Sequence, residues 1–146
     1  MVQRRNTKQR QLVMDVVREL DDHPTADEIY LKARETDPRI SRGTVYRNLA
    51  LLSDEGELLS VRIGNACHYD HNTSFHAHLV CQQCGSVIDV PVDEGRIAGV
   101  SHDVAASTGY DVEGVELTFV GTCPACRQRR QDDDRAAGQD RERKRA

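Results

Sequence analysis

The first 56 residues place apolar side chains at helical spacing in three successive stretches. Residues 7–20 repeat leucine and valine every three or four positions, which predicts a helix. Thr25 and Glu28 have the spacing of a capping box, so a second helix is expected to begin there. Ser41 is a suitable N-cap for a third helix, and Gly56 suits the position after its end. Three short helices with brief connections predict a helix-turn-helix, whose last helix enters the major groove of DNA.

Extended segments replace the helical spacing after Gly56. Residues 58–63 and 67–69 are predicted strands, and Gly64-Asn65 between them is a typical hairpin turn. Three helices followed by a hairpin make a winged helix, which we predict over residues 1–70.

Residues 71–126 predict a second, smaller module. Its strands are expected at residues 77–81, 87–92 and 115–120, and its helix at residues 94–108. The helix is expected to turn four apolar residues inward: Ile97, Val100, Val104 and Ala105. So small a sheet has exposed edges, which favours pairing with a second copy of the chain. The predicted fold class is therefore α+β, with an N-terminal winged helix-turn-helix DNA-binding domain and a C-terminal α/β dimerisation domain in a homodimer.

Charge is unevenly distributed, although the net charge is only −4. Residues 1–62 hold equal numbers of Lys/Arg and Asp/Glu, whereas residues 63–126 hold one basic residue against eight acidic ones. The acidic middle is typical of a carboxylate-rich cation site. Residues 127–146 are nearly all polar or charged, which predicts a disordered tail.

Composition narrows the class of protein further. No apolar run is long enough to span a membrane, and no apolar stretch follows the N-terminal charges as it would in a secretory signal. Hydrophobic residues make up 38% of the chain and tryptophan is absent, which predicts small hydrophobic cores. Small cores need additional stabilisation, such as a bound metal ion. Five cysteines without a signal favour a reducing compartment, and we expect a cytoplasmic protein.

Four of the five cysteines form two CxxC pairs, Cys81/Cys84 and Cys123/Cys126. The two-residue spacing lets both sulfurs of a pair reach one ion, and four thiolates make a closed tetrahedral Zn²⁺ site. Such a zinc ion is structural, because no coordination position is open. The alternative is that the two CxxC pairs are redox dithiols. A thiol oxidoreductase, however, needs only one CxxC pair, and that pair lies in a βαβ unit, which this sequence does not predict.

A second set of ligand-type residues is richer in nitrogen and oxygen. His76 and His78 alternate on a predicted strand and therefore face one side, with Asp70 upstream and Asp89 on the next strand. His23 lies in the turn between the first two helices. Such a set suits Fe²⁺, Mn²⁺ or Zn²⁺. From spacing alone, unrelated surface polar groups are an equal alternative.

Four motifs together resemble the ferric uptake regulator family. They are His76-Ala-His78-Leu-Val-Cys81-Gln-Gln-Cys84-Gly85, Cys123-Pro-Ala-Cys126, His23-Pro-Thr-Ala-Asp27 and Thr44-Val-Tyr-Arg-Asn-Leu49. The resemblance covers residues 5–127 and implies a dimeric winged-helix repressor with a regulatory metal. It also implies that a double-stranded, palindromic DNA operator is the partner and that the chain has no enzymatic turnover.

The ligands implied by the resemblance are those of the peroxide-sensing branch, which binds Fe²⁺ or Mn²⁺. They are His23, Asp70, His76, His78 and Asp89. Iron-responsive members usually have Glu where this chain has Asp89. A further metal site found in iron-uptake and zinc-uptake members would need ligands where this chain has Ala77 and Val115, so we expect that site to be absent.

The branch also implies how the signal acts. Peroxide reaching bound Fe²⁺ leads to oxidation of a histidine ligand, with His23 and His76 as the implied targets. The oxidised ring binds metal poorly and DNA is released, whereas Mn²⁺ would repress without sensing. Two alternatives remain open: a repressor of the same family that senses iron, manganese or nickel supply, and a thiol redox protein or small zinc hydrolase.

DNA contacts are expected from two places in the winged helix. Polar side chains crowd the start of the third helix, where Arg can fork onto guanine and Asn onto adenine. These residues are Arg42, Thr44, Tyr46, Arg47 and Asn48. The basic N-terminal segment is expected to contact phosphates or the minor groove through Arg5, Lys8 and Arg10. The alternative for the helix is an ordinary solvated face.

Overall fold

A computed structural model of the protein describes residues 8–143. The chain divides into two compact units, the first ending at Ser74 and the second beginning at Phe75. The sequence placed this boundary four residues earlier, after Asp70. The mixed helix-and-sheet class predicted from the sequence is confirmed.

Three helices form the first unit, and local caps set where two of them begin. They are α1 (Lys8–Leu20), α2 (Ala26–Thr36) and α3 (Arg42–Asp54). The capping box of α2 is complete, because the Thr25 side chain accepts from the Glu28 backbone N–H and the Glu28 carboxylate accepts from the Thr25 N–H. Ser41 caps α3 by accepting from the Thr44 N–H at 3.1 Å. Gly56 follows α3 with φ +73°, the left-handed conformation expected there.

The core of this unit lies where the three helices meet. Its largest fully buried side chains are Ile29, Leu49, Leu52, Leu58, Val13, Val17 and Val45. All three helices contribute to this list, so the apolar stripes predicted from the sequence face one another.

A two-stranded antiparallel hairpin completes the winged helix. Its strands are β1 (Leu59–Ile63) and β2 (Ala66–Asp70), joined by the predicted turn with Gly64 at φ +59°. The wing is attached to the loop before α2, since the Tyr69 N–H donates to the Pro24 carbonyl at 2.9 Å and Thr25 pairs with His68.

The second unit is built on a three-stranded sheet. Its strands are β3 (Ala77–Cys81), β4 (Val87–Val90) and β5 (Thr118–Gly121), in the order β4-β3-β5. The pair β3–β4 is antiparallel and the pair β3–β5 is parallel. The last strand is shorter than predicted, because pairing with β3 starts at Thr118 and leaves Val115 before the strand.

The helix of this sheet module is α4 (Glu94–Thr108), with the bounds that the sequence predicted. It ends at Gly109, which caps it at φ +75°. Within the described part of the chain, however, α4 has no buried residue, and Val100 and Val104 are 59% and 45% exposed. The expectation of an inward side chain is therefore wrong for Val100 and Val104 in the single chain, whereas Ile97 and Ala105 are half-buried.

The tail also differs from its prediction. A helix, α5 (Pro124–Arg143), covers most of the segment expected to be disordered. Its polar side chains pair along the helix, as when Gln128 donates to Asp132 at 3.0 Å, and it has few helix-breaking residues. Of the helices described here, none combines the length and apolar character needed to cross a bilayer.

Candidate metal centres and DNA-contact surface

The four paired cysteines converge at one end of the sheet. Cys81 ends β3, and a tight turn through Gly85, at φ +75°, returns the chain with its N–H bonded to the Cys81 carbonyl at 2.8 Å. The parallel pairing of Cys81 with Gly121 brings the second CxxC alongside the first. The four sulfurs lie within 4.8 Å of one another. The two pairs, distant in sequence, therefore form one cluster.

The geometry of this cluster fits Zn²⁺. The sulfurs of Cys84 and Cys123 are 3.9 Å apart, close to the roughly 3.8 Å expected between ligands on a tetrahedral ion with Zn–S bonds of about 2.3 Å. The Cys123 N–H donates to the Cys81 sulfur at 3.3 Å. This bond and one from the Cys84 backbone lower the pKa of the Cys81 thiol to about 6.

Cys126 shows why the cluster needs a cation. Burial raises the pKa of its thiol to about 12, because a thiolate there would lose hydration beside other sulfurs. A bound divalent ion supplies the charge that holds all four residues as thiolates. Arg129 donates to the Cys126 sulfur at 2.7 Å and provides some of the same compensation. The donor set is therefore that of a structural zinc site.

Three nitrogen and oxygen ligands meet on the other half of the same sheet. His78 on β3 lies directly opposite Asp89 on β4, and His76 comes two residues before His78 on the same face. The two Nε2 atoms are 3.0 Å apart, and Asp89 Oδ1 lies 3.3 Å from His76 Nε2 and 3.8 Å from His78 Nε2. Such separations are typical of atoms that share one ion with bonds of about 2.1 Å. This part of the predicted regulatory set is thus assembled within the second unit.

His23 and Asp70 form a corresponding pair in the first unit. His23 Nε2 lies 3.6 Å from Asp70 Oδ2, and both residues are buried. Asp70 ends β2, and its Oδ1 accepts from the Asn72 N–H at 2.7 Å. The winged helix therefore presents one imidazole and one carboxylate side by side.

The start of α3 presents three of the five expected DNA-contact side chains to solvent: Arg42, Tyr46 and Arg47. The half-buried Asn48 instead donates to the Thr44 carbonyl at 2.8 Å, and Thr44 Oγ1 accepts from Arg47 at 3.2 Å. The exposed edge of α3 is therefore narrower than the sequence suggested.

Asp27 on α2 belongs to this surface, although it is not among the DNA-contact residues predicted from the sequence. Its carboxylate accepts from the Tyr46 hydroxyl at 2.9 Å and forms an ion pair with Arg42. Arg42 also lies over the Tyr30 ring at 4.8 Å. The Asp27 carboxylate raises the pKa of the Arg42 guanidinium, so two potential base-reading groups are held by one acceptor. Only the packing of α2 beside α3 shows this.

The three basic N-terminal residues predicted to contact DNA differ in their exposure to solvent. Arg5 lies outside the described residues, and Lys8 is exposed at the start of α1. Arg10 is buried, with 8% of its surface exposed, and forms ion pairs with Glu55 and Glu57. The DNA contact of Arg10 therefore stays a prediction, and the ion pairs favour a structural role instead: the guanidinium is engaged inside the winged helix, where α1 meets the end of α3.

Comparisons with known proteins show what this chain is similar to. The sequence profile of the Ferric uptake regulator family matches residues 2–120. The peroxide-responsive repressor PerR of Staphylococcus epidermidis is 32% identical over 125 residues, which cover 85% of this chain and 82% of that relative.

Two solved structures extend the likeness to three dimensions. The Campylobacter jejuni peroxide stress regulator is 27% identical, with a TM-score of 0.68, over 81% of this chain and 88% of that one. A zinc uptake regulator complexed with zinc and DNA is also 27% identical, with a TM-score of 0.70, over 87% of this chain and 86% of that one. Proteins of this fold thus include metal-bound and DNA-bound regulators.

Proposed function

This chain belongs to the ferric uptake regulator family, and from that premise we propose that it is a repressor that senses peroxide through iron-dependent oxidation of a histidine ligand. Family membership makes the chain a metal-dependent transcriptional regulator. The observation that supports the choice of signal is the ligand chemistry of His76, His78 and Asp89, which offer only nitrogen and oxygen.

The regulatory ion in this proposal takes ligands from both units. His23 and Asp70 come from the winged helix, and His76, His78 and Asp89 come from the sheet module. Nitrogen and carboxylate ligands suit Fe²⁺ and Mn²⁺, whereas the four thiolates suit Zn²⁺. The ligand type of each site therefore selects its metal. An ion shared in this way would favour one arrangement of the winged helices in a dimer, which is what two half-sites on DNA require.

Oxidation of the ligand would end repression. Fe²⁺ held by these ligands would activate peroxide by lending an electron that it regains from the ring. Overall, the imidazole is the two-electron donor: it gains one peroxide oxygen, and the other oxygen leaves as water. Asp89 is 37% exposed, so a small polar oxidant can approach the set from solvent. An oxidised His23 or His76 is a poorer ligand, and the loss of metal would release DNA. The reaction occurs once per ligand and involves no turnover.

DNA binding in this proposal uses the exposed edge of α3 in a homodimer. In this proposal the exposed side chains of Arg42, Tyr46 and Arg47 contact base edges, and the exposed Lys8 contacts a phosphate. Dimerisation would cover the apolar residues that the single chain leaves exposed on α4. A palindromic operator follows from the twofold symmetry of such a dimer.

Anaerobic loading with Fe²⁺ or Mn²⁺, followed by a peroxide pulse, tests the proposal. The DNA is a duplex selected from a random library by the Mn²⁺-loaded protein, and the readouts are DNA retention and peptide mass. We expect only the iron form to release DNA, with one oxygen added to the peptide containing His23 or His76. The peptide containing His102, an exposed histidine of α4 outside the ligand set, is the internal control.

The opposite result distinguishes the alternatives. If the iron-loaded protein keeps both its DNA and its mass, the signal is metal supply rather than peroxide, and only the family-level function stands. If peroxide releases zinc and links Cys123 to Cys126 before any histidine gains oxygen, the cysteines carry the response as a thiol switch.

A further inference from the structure

The loop that carries His23 has an unusual backbone. Asp21 and His23 have φ values of +50° and +51°, and they are the non-glycine residues of the described chain with positive φ. His23 also precedes Pro24, and a residue before proline ordinarily adopts an extended conformation. A left-handed backbone at such a residue persists only where its surroundings hold it there. The loop therefore needs an external support.

The wing strand β2 supplies this support. His68 Nδ1 lies 2.6 Å from the His23 carbonyl oxygen, and because a carbonyl can only accept, the Nδ1–H of His68 donates. The neighbouring Tyr69 N–H donates to the Pro24 carbonyl at 2.9 Å. Two successive residues of β2 thus bond to two successive carbonyls of the loop. The same strand ends at Asp70, two residues after His68.

We propose that His68 is a positioning residue that holds the left-handed loop so that the His23 imidazole stays beside Asp70. This inference rests on the proposed role of His23 and Asp70 as metal ligands. The bond from His68 is the only one of the two contacts that a side chain provides, so substitution can remove it without altering the strand. Groups that orient metal ligands typically contribute about 10- to 100-fold to metal affinity. His68 would also make occupancy of the metal site depend on an intact wing.

Two substitutions of the full-length, zinc-loaded protein separate the hydrogen bond from the bulk of the ring. His68→Leu removes the donor, whereas His68→Asn keeps an N–H donor close to the position of Nδ1. Cys67→Ser is the matched control, since Cys67 precedes His68 on β2, is itself half-buried, and its sulfur faces the His68 carbonyl rather than the loop. His71 is unsuitable, because its Nε2 lies 3.6 Å from Asp21 Oδ1 in the same loop. The readouts are Mn²⁺ affinity by calorimetry and amide hydrogen exchange of residues 19–25 without Mn²⁺.

The expected result is a selective loss. His68→Leu should weaken Mn²⁺ binding by about tenfold or more and accelerate exchange in residues 19–25, while His68→Asn and Cys67→Ser stay close to wild type. Equal losses in His68→Leu and His68→Asn would overturn the proposal, because bulk packing would then be the role of His68. Unchanged binding and exchange in both would overturn it as well. Failure of the wild type to bind Mn²⁺ would instead refute the regulatory site, while the exchange data would still decide whether His68 supports the loop.

Discussion

Replacing Arg10 with alanine separates a structural role for this arginine from a role in DNA binding. Its side chain is 9% exposed and is paired with Glu55 and Glu57, whose side chains are 35% and 52% exposed. A hydrogen bond to a charged group contributes about 1.5–3 kcal/mol, and an exposed ion pair less than about 1 kcal/mol. Because only the arginine is buried, we expect Arg10→Ala to lower the free energy of unfolding by about 2 kcal/mol.

Urea unfolding at fixed protein and zinc concentration measures this loss. For a unit of this size the dependence on urea is about 1 kcal/mol per molar, so the midpoint should fall by about 2 M. A phosphate contact predicts a different outcome: unchanged stability and a reduction of about 1 in the slope of log affinity against log salt. Lys8→Ala on the same helix is the control, and it should change the stability by less than about 0.5 kcal/mol. The structural reasoning is refuted if Arg10→Ala leaves the urea midpoint unchanged and reduces the salt slope.

Three further predictions concern the helix cap, the zinc cluster and the exposed apolar face. The Thr25 N–H, and then its hydroxyl, lower the pKa of Glu28, so this carboxylate adds stability above about pH 4.3 that is lost as the pH falls through its folded pKa. The free energy of unfolding in urea should therefore fall more between pH 5 and pH 3 in wild type than in Glu28→Gln. Parallel pH profiles of the two proteins would contradict this. Cys126→Ser should release zinc and speed amide exchange in β5, whereas Cys67→Ser should retain the metal; a Cys126→Ser protein with full zinc content would disprove the four-cysteine site. Val104→Asp should weaken a dimer at least tenfold in sedimentation equilibrium, since a buried valine contributes about 1.5 kcal/mol, and an unchanged association constant would place the interface elsewhere.

Local features of the chain were predicted well because their causes lie within a few residues. The cap pair Thr25/Glu28 and the Gly109 cap fix helix ends through bonds to their own helices, and a turn at Gly64-Asn65 fixes the hairpin. The CxxC spacing is likewise local, and two such pairs indicate one zinc ion even before their convergence is seen. The nitrogen and oxygen ligand set cannot be predicted from local spacing alone. The spacing of His76 and His78 fits unrelated surface groups equally well, and the family resemblance is what favours a shared metal ion.

The remaining features depend on which segments become neighbours. The basic N-terminal segment predicts a DNA contact for Arg10, and only the meeting of α1 with Glu55 and Glu57 shows that its guanidinium is buried. Asp27 and His68 gained their roles in the same way, from α3 and from the loop at His23. The sequence by itself determined the elements other than α5, their caps and the type of metal each ligand set prefers, because propensity, capping and ligand chemistry act over short separations. The tertiary structure decided which charges are buried, which apolar face is left uncovered and which residue supports a strained ligand loop, because those properties arise only when residues distant in sequence come into contact.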